Sequence, residues 1–270
     1  GTFADDDGRA GPSGDYYCLR CSSDMTECGN CGATTWADES CVDCGYSPRE
    51  GGNFGPLNVM YYSYKPEPIF HTVNNGEIVQ TYNRSGVGSD DDNIFFGIEL
   101  ETNIRSGGDA VEGGRLVFDS ALVSGMGFMY AKSDCTVSGP ELVTHPATLA
   151  AHRNLWARFP FRELAALRWS GWVTGGAGCH IHIERRAFRD KAHLARFQIY
   201  FGEWRDQLIS FGGRHCQSYG YHGENMKGIR RAIAYANNRN YPARGSAINY
   251  ENGSTIEVRM FRSSLRESTV

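Results

Sequence analysis

Three stretches of the chain alternate apolar and polar side chains with a period of two: Phe96-Gly97-Ile98-Glu99-Leu100-Glu101, Gly178-Cys179-His180-Ile181-His182-Ile183-Glu184 and Thr255-Ile256-Glu257-Val258-Arg259-Met260. Side chains two apart share one face of a strand, so each stretch predicts a β-strand with one apolar and one polar side. Such alternation most commonly marks an antiparallel sheet with one wet face. Further strands are predicted over Gly127 to Lys132 and over Ala247 to Tyr250, the latter joined to the Thr255 strand at Asn252-Gly253. Tyr61 to Lys65 reads as an extended edge segment, because Pro66 and Pro68 forbid helix there. Ile78 to Tyr82 pairs back across the turn signal Asn74-Asn75-Gly76. A helical period appears in Arg189 to Ile209, where Leu194, Phe197, Phe201, Trp204 and Leu208 predict one long helix covering a sheet face. Shorter helices are expected over Ala147 to Phe159 and Arg162 to Arg168, divided at Pro160, over a glycine-broken Val111 to Val123, and over Arg230 to Asn238.

Composition sets the outer bounds. A chain of 270 residues holds one sizeable core and a small satellite module. A net charge of −4 leaves no basic field, so a global electrostatic case for nucleic acid binding is missing. No apolar run is long enough to span a bilayer and no signal-peptide pattern is present, so the expected location is the cytoplasm, with no membrane partner. Residues 1–15, rich in Gly, Asp and Ser, are expected to form a flexible tail. A cysteine-rich module over 16–50 follows, then a linker and edge hairpin over 51–93, and a larger domain over 94–270. The acidic run Ser89-Asp90-Asp91-Asp92 reads as a solvated loop.

The cysteines come as Cys18-x-x-Cys21, Cys28-x-x-Cys31 and Cys41-x-x-Cys44. Each such knuckle lets two thiolates grip one ion from a tight turn, and two knuckles complete a tetrahedral Zn²⁺ site. Cys28, Cys31, Cys41 and Cys44 form the best set, with Gly32 and Gly45 following the knuckles and Trp36 between them as a small core. The pattern is that of a zinc ribbon, in which the metal supplies folding energy that so small a module lacks. Cys18 and Cys21 either replace one knuckle, join a larger cluster or stay free. Ribbons contact proteins or nucleic acids as often as they brace a domain.

The polar faces of the three strands carry Glu99, Glu101, His180, His182, Glu257 and Arg259, where a solvated face usually carries Thr, Ser and Lys. This inventory suits divalent metals and phosphate. Two carboxylates two residues apart on one strand repel strongly in a partly dry site unless a cation lies between them. Asp134 and Glu141 flank the Gly139-Pro140 turn, which brings more carboxylates toward the same place. There is no Walker A lysine, and Gly175-Gly176-Ala177-Gly178 precedes a strand instead of opening a helix. Cys179 falls on the face opposite His180, which disfavours a Cys/His nucleophile; Cys135 and Cys216 read as ordinary thiols.

In their order, Gly97 to Glu101, Lys132 to Pro146, Gly178 to His182 and Thr255 to Arg262 resemble the phage and bacterial amidoligases, carboxylate-amine ligases of the glutamine synthetase superfamily. The resemblance covers about Tyr61 to Val270 and leaves the zinc ribbon outside. It implies an α+β fold: a curved antiparallel sheet with helices on its outer face and a funnel for ATP and metals on its inner face. By motif, Glu101 and Glu141 would hold one Mg²⁺ or Mn²⁺ with Asp134 as a third ligand, and Glu99, His180 and Glu257 would hold the second. His182 would sit beside the transferred phosphate, while Arg259 and Arg262, with Lys132, would meet phosphate charge. One departure from the family is Cys135 after Asp134, where relatives usually have Gly. The implied activity is ATP-dependent amide bond formation through an acyl phosphate, with a carboxylate and an amine, free or within a peptide or protein, as substrates. The competing readings are a metal-dependent amide hydrolase and a virion or complex component that uses the fold for binding. A phage origin would put the protein in the host cytoplasm or the virion.

Overall fold

The computed structural model describes residues 53–82, 94–120, 127–134, 136–172, 177–214 and 246–266, together with the backbone of four short strands before them. These four are β1 (Gly8–Ala10), β2 (Tyr16–Cys18), β3 (Met25–Glu27) and β4 (Thr34–Trp36), and they pair as two antiparallel hairpins, β1 with β2 and β3 with β4. Strand β1 thus lies inside the stretch expected to be a tail. Cys21, Cys28, Cys31, Cys41 and Cys44 lie outside the described residues, as do Ser89 to Asp92, Cys135, Cys216 and the helix expected over Arg230 to Asn238.

The larger part of the chain runs β5 (Val59–Met60), β6 (Phe70–Asn74), β7 (Glu77–Thr81), β8 (Phe95–Glu101), β9 (Asn103–Ile104), α1 (Ala110–Asp119), β10 (Met129–Lys132), β11 (Glu141–Thr144), β12 (Ala147–Thr148), α2 (Leu149–Trp156), α3 (Phe161–Ala166), β13 (Trp169–Ser170), β14 (Gly178–Glu184), α4 (Lys191–Glu203), α5 (Arg205–Gly212), β15 (Ile248–Asn249) and β16 (Thr255–Arg262). Ten of these strands form one open, strongly curled sheet in the order β15-β16-β14-β8-β11-β10-β5, with β12 beside β8 and then β6 and β7. Most neighbours are antiparallel, as expected, but β5 joins β10 and β6 joins β12 in parallel. The first pair closes the β10 end of the sheet, whereas the second lies directly beside β8 through β12. Among the described residues no helix is long and apolar enough to cross a membrane.

The apolar sides of the alternating strands face the helices. Leu100 and Leu142 lie in a core with Val117 of α1, Ala151 and Leu155 of α2, and Leu164 of α3. Ile248, Ile256, Val258 and Met260 pack with Leu194 and Phe201 of α4 in a second cluster. Helix starts follow the local chemistry: Asp109, Thr148 and Asp190 each accept a first-turn backbone N–H and so cap α1, α2 and α4. The glycines in α1 permit close approach, because a Cβ at Gly113 would collide with the Trp169 indole and one at Gly114 with the Phe54 carbonyl.

Two local expectations are corrected. The long helix over Arg189 to Ile209 is divided at Trp204, which is half exposed, so that α5 turns in and sets Gly212 against the Met260 backbone. Tyr61 to Lys65 adds no strand; after β5 the chain makes a turn, with the Tyr64 N–H donating to the Tyr61 carbonyl at 3.0 Å. The hairpin turn between β6 and β7 is the expected one, with Asn75 and Gly76 both at positive φ.

Candidate functional site

Sheet register decides which polar side chains meet. Lys132 stands opposite Glu141, which stands opposite Glu101 on the next strand. In the adjacent rows Glu99 faces His180, and His182 faces Glu257, which in turn faces Asn249. Opposite His180 the β16 strand bulges, since Cys179 pairs with Phe261 while Ile181 pairs with Val258. The bulge holds Arg259, whose guanidinium pairs with the Glu257 carboxylate.

The resulting hollow is tightly connected. His180 Nδ1 lies 3.2 Å from Glu99 Oε2 and 3.5 Å from Glu257 Oε1, and its Nε2 lies 3.5 Å from Glu101 Oε1. His182 Nε2 is 3.3 Å from Glu99 Oε1, and Lys132 Nζ is 2.9 Å from Glu141 Oε2 and 4.0 Å from Glu99 Oε1. Asn249 Nδ2 donates to Glu257 Oε2 at 2.8 Å, and the Gly178 N–H donates to Glu101 Oε2. Two sets of metal-type donors emerge, Glu99/His180/Glu257 and Glu101/Glu141/His180, each with ligand atoms within 4.8 Å of one another. Nearly all these groups are buried, His180 to 2% exposure.

Burial without enough counter-charge shows in the acid–base behaviour. Desolvation pushes the Glu101 carboxyl above its usual range despite His180 and the Gly178 N–H. Desolvation and the neighbouring Glu99 push Glu141 up to about 8, against the pull of Lys132. For Lys132 burial disfavours the charge, but Glu141 and Glu99 outweigh it and hold the ammonium above its ordinary value. Glu99 is also penalised by burial, yet hydrogen bonds from His180 and His182 hold it well below the usual carboxylate range. A divalent cation among mixed carboxylate and imidazole donors would supply the missing positive charge, so the donor sets fit Mn²⁺ or Mg²⁺.

Two cavities open from this floor. A polar one of about 510 Å³ is lined by Glu99, Glu141, His180, Glu257, Arg259 and Asp134 among others. A more apolar one of about 580 Å³ has Phe70, Phe95, Tyr130, Val143 and Pro146 in its walls, with Arg185 and Arg186. Glu99, Lys132, His182, Lys65, Asn252 and Gly253 line both.

Of the residues picked out from sequence, Glu99, Glu101, Glu141, His180, His182, Glu257, Lys132 and Arg259 converge here. Asp134 stands in the wall but outside both donor sets, its Oδ1 accepting from the Thr136 N–H at 2.7 Å and hydroxyl at 2.6 Å. Arg262 is exposed opposite Gly178 at the strand end and lines neither cavity. Cys179 does face the other way, packed against the larger core, and burial pushes its thiol up to about 12, which disfavours the thiolate. Sequence reasoning missed Asn249 and Arg214. Asn249 was accessible through the hairpin, which sets it opposite Glu257. Arg214 gave no such signal: it follows the left-handed Gly213 after α5 and reaches back to put Nη1 3.2 Å from His180 Nε2. Gly178 makes room for it, because a Cβ there would collide with that guanidinium.

Comparison with known proteins finds neither a matching family model nor a matching curated protein.

Proposed function

We propose that the hollow is the site of an ATP-dependent ligase that joins a carboxylate to an amine through an acyl phosphate. The observation that carries this reading is the convergence of Glu99, Glu101, Glu141, His180 and Glu257 from four strands on one concave face, with Lys132 and Arg259 among them. Glu99, His180 and Glu257 would hold one Mg²⁺ or Mn²⁺, and Glu101 and Glu141 the other, with the His180 ring between the two sets. Bound there, the cations would neutralise phosphate oxygens and help orient the acid for in-line attack.

The chain's own residues account for the rest of the chemistry. The apolar cavity is of ordinary ligand size and has aromatic walls suited to the base of a nucleotide, whose phosphates would reach toward Glu99 and His182. Arg259 and Lys132 would stabilise the charge spread over the transferred phosphoryl oxygens. A substrate carboxylate oxygen would attack the γ-phosphorus and release ADP. A neutral amine would then attack the acyl carbon, phosphate would leave with the bonding pair, and the surplus proton on nitrogen would pass to the departing phosphate. A Zn²⁺ ion in the Cys28, Cys31, Cys41 and Cys44 set belongs to the same proposal, as the brace of a separate module.

The test is ADP release by the purified protein with Mg²⁺ and ATP against a panel of carboxylates and amines, amino acids and peptides included. Turnover with at least one pair is expected, falling on the order of 10² to 10³ in Glu257→Gln. Amide cleavage without nucleotide would instead assign the same ligands to a metal-dependent amide hydrolase.

A further inference from the structure

Between β5 and β6 the chain runs over residues 61–69 as a strap with no regular secondary structure beyond its opening turn. Its side chains line the site in succession: Tyr62 and Ser63 border the polar cavity, Lys65 borders both cavities, and Pro68 borders the apolar one. The strap is fastened at both ends. Near its start, the Tyr64 ring packs edge-on against Tyr130 at 5.6 Å and the Tyr62 ring lies 5.7 Å from Lys132 Nζ. Near its end, two histidines hold Ile69 by both of its backbone groups. The Ile69 N–H donates to His145 Nδ1 at 3.2 Å, and His71 Nδ1 donates to the Ile69 carbonyl at 3.1 Å. Pro66 and Pro68 fix two backbone angles between these fastenings. Desolvation, with His71 nearby, lowers the pKa of His145 to about 4, so the ring stays neutral and keeps the lone pair that the Ile69 N–H needs.

What this strap presents is a cation that no carboxylate among the described residues engages. Most other positive groups lining the two cavities already have partners: Lys132 with Glu141, Arg259 with Glu257, His182 with Glu99, and Arg185 with the carbonyls of Asn252 and Tyr250; exposed Arg186 lines the apolar cavity only, whereas Lys65 lines both. Lys65 is exposed, and among the described residues no carboxylate pairs with it. Its position between Tyr64 and Pro66 puts Lys65 in the lining that both cavities share with Glu99 and His182.

We propose that Lys65 is a phosphate-binding residue of this site, carried to the cavity junction by the strap that His71 and His145 fasten. The proposal rests on the nucleotide reading for its biological ligand, but its chemistry is that of any polyphosphate reaching the junction. With no carboxylate partner among the described residues, Lys65 would give its full charge to the bound anion, whereas Lys132 would have to share its charge with Glu141. Because Lys65 is exposed, its replacement leaves the core untouched.

The test is calorimetric binding of Mg²⁺-tripolyphosphate, and of Mg²⁺ with a non-hydrolysable ATP analogue, to the full chain and to Lys65→Ala and Lys65→Arg. The expected result is an affinity loss of about tenfold for both anions in Lys65→Ala, recovery in Lys65→Arg, and no change for adenosine. Nucleotide analogue binding that is equal in wild type and Lys65→Ala overturns the proposal and leaves the nucleotide reading in place. Tripolyphosphate binding that depends on Lys65, without binding of the nucleotide analogue, supports the proposal and overturns the nucleotide reading. If wild type binds neither anion, both fall.

Discussion

At the scale of single residues, the site depends on which atoms can coexist in a dry hollow. Gly178 illustrates this: its N–H serves Glu101, while its missing side chain leaves room for Arg214 beside His180. Gly178→Ala should therefore displace the Arg214 guanidinium and disturb His180. The expected outcome is a stability loss of roughly 1 to 3 kcal/mol by overpacking, read by urea unfolding, together with weaker Mn²⁺ binding in calorimetry. Unchanged metal affinity would show that Arg214 does not position His180. The sequence displayed the ligand types but not this arrangement. Glu99, His180 and Glu257 announced themselves by alternation, since a period of two is a local property of the chain. Arg214 acts across 34 residues of sequence from a helix end, and no local pattern encodes that reach.

At the scale of elements, each strand's polar face was legible and its exact neighbours were not. Alternation fixes faces, whereas pairing depends on connections and packing that a single stretch does not carry. The parallel pairs β5/β10 and β6/β12 were thus unforeseen, and so was the break at Trp204, where packing of α5 on β16 overrides a continuous helical period. The fastening of β6 makes a prediction about pH. His145 has a folded pKa of about 4, below the ordinary histidine value, so the unfolded chain binds more protons between those two values. The stability from keeping this ring neutral is fully present above about pH 6.5 and is lost as pH falls toward 4. Buried His152, whose pKa desolvation also lowers, adds in the same direction. Urea unfolding of the wild type between pH 7 and pH 4 should show a loss on the order of 1 to 3 kcal/mol from His145, with a shallower slope in His145→Gln. Parallel curves for the two proteins would contradict the assignment.

At the scale of the whole molecule, a curled sheet gathers four buried or half-buried carboxylates on its concave side, and helices cover the apolar side with two clusters of core residues. Lys132, Arg214 and Arg259 already supply internal positive charge to that concave side, so the fold should persist without metal. Removing divalent ions with a chelator should lower the melting temperature by a few degrees without unfolding the protein, and saturating Mn²⁺ should restore it. Glu99→Gln, which removes a ligand of one of the two cations only, should show a smaller Mn²⁺-dependent rise than the wild type, whereas an undiminished rise in that variant would move the Glu99 cation elsewhere. The central claim is that this concave face binds a nucleotide through divalent cations, and calorimetric titration of the wild type and Glu257→Gln with a non-hydrolysable ATP analogue tests it most directly. Binding that requires Mg²⁺ or Mn²⁺ and is lost in Glu257→Gln is the predicted result. Binding of equal strength without metal, or in the variant, would contradict it.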